Sequence, residues 1–162
     1  MSSGLKDLGK HEKGIYLLIM QNQGGDRSIV VGGIGTFMIP SQRRYLYIGS
    51  AMGGLYHRLK RHLSNTKKMH WHVDYLLEHL SVLAFCYAIT TCRLECDLSG
   101  EFHAHPVEKF DPLHGVGNSD CKRCPAHAYA VPSRLSMERL QAIVSSSFRN
   151  LELKPRFLHI HR

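Results

Sequence analysis

No apolar run in this chain approaches the roughly 20 residues that a bilayer-spanning helix needs. Met1 to Lys13 is polar and lacks the apolar core of a signal peptide. The expectation is a cytoplasmic protein with no membrane partner. Cysteine is sparse and odd in number, five in 162 residues, which argues for reduced thiols rather than a disulfide framework. A close cysteine pair is then a candidate for metal or redox chemistry. Acidic side chains are also short: 13 Asp and Glu face 21 Lys and Arg, for a net charge of +8 and a pI near 9.4. That excess suits a polyanion such as nucleic acid, and it equally fits a merely basic protein. There is no internal repeat and no low-complexity tract, so the length points to one domain over 1–162, with enough apolar material for a core.

The pattern along the chain supplies the elements. Gly14 to Met20 is a short apolar run with β-branched and aromatic residues, and Gln21 to Asp26 reads as a turn. Ser28 to Val31 and Thr36 to Ile39, separated by glycines, form an inserted hairpin. Arg44 to Ser50 is the second main strand and ends in a small-residue turn. Leu55, Leu59 and Leu63 then recur at helical spacing, and Met69, Val73, Leu76, Leu77 and Leu80 mark a second helix. Val82 to Ile89 is apolar without alternation, as in a strand covered on both faces. A third helix carries Leu94, Leu98 and Phe102 inward with Glu95 pointing elsewhere, capped by Thr90 or Thr91. Residues 103–132 read as loop. Leu135, Leu140, Ile143, Val144 and Phe148 make a final helix, and 154–162 a basic tail. The fold expected is α+β: a small, mainly antiparallel, three-stranded core sheet flanked by helices.

Gly14-Ile15-Tyr16 and Tyr47-Ile48-Gly49 fall on the two main strands, with Arg58 on the next helix and Glu95 on the third. In that order the sequence resembles the GIY-YIG nuclease superfamily. The runs YLYIGSAMGG, RLKRH, HWHVDYLL, LEC and SDCKRC bring it nearest to small stand-alone proteins of that type (Uri-type endonucleases), sometimes fused to endonuclease III. The resemblance covers residues 13–130 and leaves 131–162 as a C-terminal helix and tail. It implies a metal-dependent endonuclease that hydrolyses phosphodiester bonds in DNA or structured nucleic acid, with DNA favoured over RNA and DNA repair as a setting. The rival expectation is a nucleic-acid-binding accessory module with the same fold and no cleavage.

Phosphodiester hydrolysis needs a deprotonated water, a Lewis acid and donors for developing charge. By the resemblance, Glu95 holds Mg²⁺ or Mn²⁺, Tyr16 is the general base, Tyr47 holds the water or phosphate, and Arg58 donates to the phosphoryl oxygens. His62 lies four residues after Arg58, on the same side of the helix. Taken singly, a helix glutamate or arginine is a solvated side chain and a strand tyrosine a core residue. Gly49, Ser50, Gly53 and Gly54 lead into the helix, either as a phosphate-receiving N-terminus or as a tight turn. Lys60, Arg61, Lys67 and Lys68 extend the basic surface for nucleic acid. In HWHVDYLL, His72 is open to a site role, with Asp74 to orient it, or to a structural one.

Cys121, Cys124 and His127 have ligand types and separations suited to a structural Zn²⁺, with Cys96, His114 or Asp120 as possible fourth ligand. A reduced pair in a loop beside the active site is the alternative. A thioredoxin-like role lacks its strand-helix context.

Overall fold

The computed structural model describes residues 3–118 and 121–161. In chain order a 3₁₀ turn (Ser3–Asp7) precedes β1 (Gly14–Gln21), β2 (Arg27–Val31), β3 (Gly35–Ile39), β4 (Arg44–Ala51), α1 (Leu55–Leu63), α2 (His72–Leu77) and β5 (Ser81–Ile89). Then come α3 (Glu95–His103), β6 (Asp111–Pro112), β7 (Ala128–Ala130), α4 (Met137–Asn150) and β8 (Arg156–His159).

The main sheet has six strands in the order β6-β7-β4-β1-β5-β8, every adjacent pair antiparallel. The expected three strands are its centre, and the expectation of only three is corrected on both flanks. Ala128 to Ala130 lies in the segment read as loop, yet its backbone pairs with Tyr45 to Tyr47 of β4. The presumed tail supplies β8, which pairs with Ala84 to Tyr87 and buries Leu158. Asp111–Pro112 adds β6 outside β7; all three additions are short, and an open strand edge offers unpaired N–H and C=O groups that a short segment of almost any composition can satisfy. Hydrophobic periodicity cannot register such strands.

β1 is central, and seven of its eight residues are buried, each large apolar side chain contributing about 1.5–3 kcal/mol. Its alternation divides the interior. Tyr16, Leu18 and Met20 face a core with Leu55 and Leu59 of α1 and Val73 and Leu76 of α2. Ile15, Leu17 and Ile19 face Leu98 and Phe102 of α3 and Leu140, Val144 and Phe148 of α4. The hairpin β2–β3 is a separate two-stranded sheet whose inner residues Ile29, Val31 and Ile39 join the first core. α4 starts after Ser136, whose hydroxyl accepts from the Arg139 amide at 3.1 Å. α3 has no such cap: Leu94 occupies that position, and Thr90 Oγ1 accepts from Cys92 N instead, shaping the preceding turn.

Candidate active site and metal cluster

Strand register sets the phenols. Tyr16 pairs with Gly49 across β1 and β4, and Tyr47 with Leu18, so both rings face α1. The Tyr16 ring lies over Gly49 so closely that a Cβ there would come within 2.6 Å of its Cζ. Gly14 is constrained differently, because a Cβ would strike the Ala88 carbonyl of β5 and approach Leu55 Cγ to 3.1 Å. α1 leaves Gly54 at φ 122°, in the region open to glycine, and carries Arg58 and His62 on one side.

His62 Nε2 and the Tyr16 hydroxyl share a buried hydrogen bond of 2.8 Å. The Tyr47 ring meets His62 edge-on, with centroids 6.4 Å apart. Burial pushes the Tyr16 phenol up to about 12, against the opposing pull of the Arg58 charge. Tyr47 is pushed up further, first by burial and then by Tyr16. His62 moves the other way, down to about 3, because burial and the nearby Lys67 and Arg58 charges all oppose protonation. Its imidazole is therefore neutral at physiological pH, and Nδ1 is buried without a hydrogen-bond partner among the described residues. Tyr16 is 1% exposed and Tyr47 7%, so Tyr47 is the phenol nearer to solvent.

The basic residues after β4 divide by role. Arg58 has no carboxylate partner among the described residues, and its guanidinium lies over the Trp71 ring at 4.0 Å. It borders a pocket of about 200 Å³ shared with Gly53, Gly54, His57, Arg61 and Trp71. Arg61 also lies over Trp71, at 4.3 Å, but is committed elsewhere. It binds Asp74 bidentately at 2.8 and 2.9 Å and donates to the Lys68 carbonyl. Asp74 is fully buried and also accepts from the His70 and Trp71 amides. Burial alone would raise its pKa, but Arg61 and those amides hold it down to about 2. Lys67 donates to the His62 and Arg61 carbonyls, closing the end of α1. Lys60 and Lys68 are exposed. His72 is not oriented by Asp74; its Nδ1 accepts from the Gly117 amide at 3.0 Å. The free amide expected at the start of α1 is partly used, since Leu55 N donates to the Glu12 carbonyl.

Glu95 opens α3. Its Oε1 accepts from the Ser50 hydroxyl at 3.0 Å, and its Oε2 is buried with no partner among the described residues. Ser50 pairs with Ile15 and so points to the sheet face opposite Tyr16. Ser50 thus holds the carboxylate rather than standing free. The Glu95 charge still raises the Tyr47 pKa and opposes the lowering of His127. Gly117, at φ 82°, lies between those two side chains: a Cβ there would be 2.9 Å from both Tyr47 Cε2 and His127 Cβ. No sequence pattern distinguished Gly117 or the placement of both Arg58 and Arg61 over Trp71, since each is a contact between separate elements.

Cys96, Cys124 and His127 bring their ligand atoms within 4.8 Å of one another, a cluster that could hold a metal ion. Cys121 joins it through Sγ, 2.8 Å from Cys96 and 3.7 Å from Cys124. His114 is exposed, and Asp120 lies outside the described residues. No helix among the described residues is long and apolar enough to cross a membrane.

The sequence matches the family described as Domain of unknown function DUF123 over residues 15–151, and the chain belongs to that family. No curated protein and no solved structure gives a significant match.

Proposed function

We propose that the chain is a metal-dependent endonuclease of the GIY-YIG type acting on DNA or structured nucleic acid in the cytoplasm. The observation that carries this reading is the buried Glu95 Oε2, which has no hydrogen-bond partner among the described residues. A buried carboxylate oxygen without a donor costs free energy, and a hard cation is the natural partner for it. Glu95 would hold Mg²⁺ or Mn²⁺, which when bound supplies Lewis acidity to phosphate oxygens and strengthens nearby acids.

The protein's own groups do the rest. Burial pushes the Tyr16 phenol up and the His62 imidazole down, and both directions oppose complete transfer of the phenol proton to His62. His62 therefore serves as a neutral acceptor that orients the Tyr16 O–H, not as the final base. The Arg58 charge lowers the cost of a phenolate at Tyr16; once the phenol has released its own proton to solvent, that phenolate takes a proton from the attacking water. Tyr47 orients that water or the scissile phosphate. Arg58, with no carboxylate to neutralise it, donates to the phosphoryl oxygens as charge develops. The products are a 3′-hydroxyl and a 5′-phosphate, the leaving oxygen taking its proton from solvent.

The net positive charge supports nucleic-acid binding. Lys60, Lys68 and Arg58 are its candidates on α1 and beyond, whereas Arg61, Lys67 and Ser50 already have intramolecular partners. Zn²⁺ is the ion we assign to the cluster of Cys121, Cys124 and His127, as thiolate and imidazole suit a softer metal. A second reading, a binding module that does not cut, draws support from the closure of Tyr16 to solvent. Cleavage assays with a Glu95→Ala control separate the two.

A further inference from the structure

We propose that Cys96 completes a closed, four-ligand zinc centre with Cys121, Cys124 and His127, and that this centre ties the 121–127 segment to the first turn of α3 beside Glu95. The proposal rests on the zinc reading of the cluster and is independent of whether the chain cuts nucleic acid.

Three of the separations among these four ligand atoms already match a tetrahedral zinc site. Zinc–sulfur bonds of about 2.3 Å and zinc–nitrogen bonds of about 2.0 Å put the ligand atoms of such a site about 3.5–3.8 Å apart. The separations are 3.5 Å for Cys96 to Cys124, 3.7 Å for Cys121 to Cys124, and 3.5 Å from Cys96 Sγ to His127 Nε2. The 2.8 Å between Cys96 and Cys121 must open by about 1 Å, and Cys121, which stands outside the group of Cys96, Cys124 and His127 whose ligand atoms all lie within 4.8 Å of one another, must swing toward His127. Cys121 is at the mouth and half-buried, while Cys124 and His127 are buried. The other cysteines stand apart: Cys86 is buried within β5, and Cys92 is exposed.

The surroundings hold these ligands in place. Arg123 N donates to Cys121 Sγ at 3.3 Å, which stabilises negative charge on that sulfur. The Arg123 side chain reaches Asp97 of α3 at 3.0 Å. Asn118 donates to the Cys124 carbonyl and Ser99 to the Ala126 carbonyl. His127 is fixed on both sides of its peptide, its N–H donating to the Val116 carbonyl and its C=O accepting from Ile48 of β4. Three thiols and one imidazole with no remaining position describe a structural rather than a catalytic zinc site. Its consequence lies next door: Cys96 follows Glu95 directly, and Gly117 lies between His127 and Tyr47.

The test uses the full chain purified without added metal. Elemental analysis should find about one Zn²⁺ per chain, and Co²⁺ exchanged into the site should give a tetrahedral spectrum with thiolate charge transfer. Cys96→His, which retains a ligand and guards against simple unfolding, should stay folded by circular dichroism and lose about a third of that charge-transfer intensity. Cys96→Ser should release zinc to a chromophoric chelator at least tenfold more readily than Cys92→Ser, which should match the parent. Zinc that is retained equally in Cys96→Ser, with an unchanged Co²⁺ spectrum in Cys96→His, would overturn the role of Cys96 and leave a three-ligand site. Metal-free parent protein, or a disulfide among these cysteines, would overturn both the centre and the zinc reading beneath it.

Discussion

Tyr16 and His62, 46 positions apart in sequence, share a 2.8 Å hydrogen bond in the protein interior. His62 Nδ1 has no hydrogen-bond partner among the described residues. Tyr16→Phe should keep the packed ring and remove only the hydroxyl. Metal-dependent cleavage should fall about 10²- to 10⁴-fold, the range for loss of a positioned proton-transfer group. Stability should drop by about 1–3 kcal/mol, because His62 is left unsatisfied. Cleavage rates and denaturant midpoints measured on the same preparation check both; cleavage at the parent rate would remove Tyr16 from the chemistry.

The same histidine makes an acid-stability signature. Its pKa in the fold is near 3, below the ordinary value of about 6.5, so the unfolded chain binds a proton that the folded chain refuses. This contribution to stability is complete above about pH 6.5 and is lost as pH falls toward 3, at up to about 1.4 kcal/mol per pH unit. Asp74, held near 2, adds its own loss only below about pH 4. Between pH 6.5 and 4, His62→Gln should therefore lose less stability than the parent in chemical denaturation. Parallel pH profiles for the two proteins would contradict a neutral buried His62.

Asp74 anchors the segment around Trp71 through Arg61 and two backbone amides. Replacing it with Asn removes the charge while nearly preserving shape, and leaves the Arg61 guanidinium without its counterion. Asp74→Asn should cost about 3–5 kcal/mol, as for other broken buried ion pairs. Thermal or urea unfolding measures it, and a loss below 1 kcal/mol would mean the pair is solvated.

Much of the fold was legible because β1, β4, β5 and α1 write strong, distinct periods into the chain, the strands as apolar runs and α1 as a four-residue leucine repeat. The four-residue β8 and three-residue β7 were not, since edge pairing is set by backbone geometry rather than by a pattern of side chains. Among site residues, spacing alone grouped Cys121, Cys124 and His127, and Arg58 with His62. It could not reveal that Ser50 binds Glu95, or that Arg61 and Lys67 are occupied within the fold; those are contacts between distant elements. Gly49 illustrates the boundary: its presence beside Tyr47 was visible, but the reason for it, the Tyr16 ring lying across its α-carbon, needed the strand register.

The most direct measurement is cleavage of single-stranded, duplex, flapped and branched substrates with Mg²⁺ or Mn²⁺, run beside Glu95→Ala. The parent should cut at least one substrate only when the metal is present. Glu95→Ala should cut it about a hundredfold more slowly or not at all, while retaining nucleic-acid affinity, which comes from dispersed positive charge. A parent that cuts none of these substrates, or a Glu95→Ala variant that cuts at the parent rate, would contradict the account.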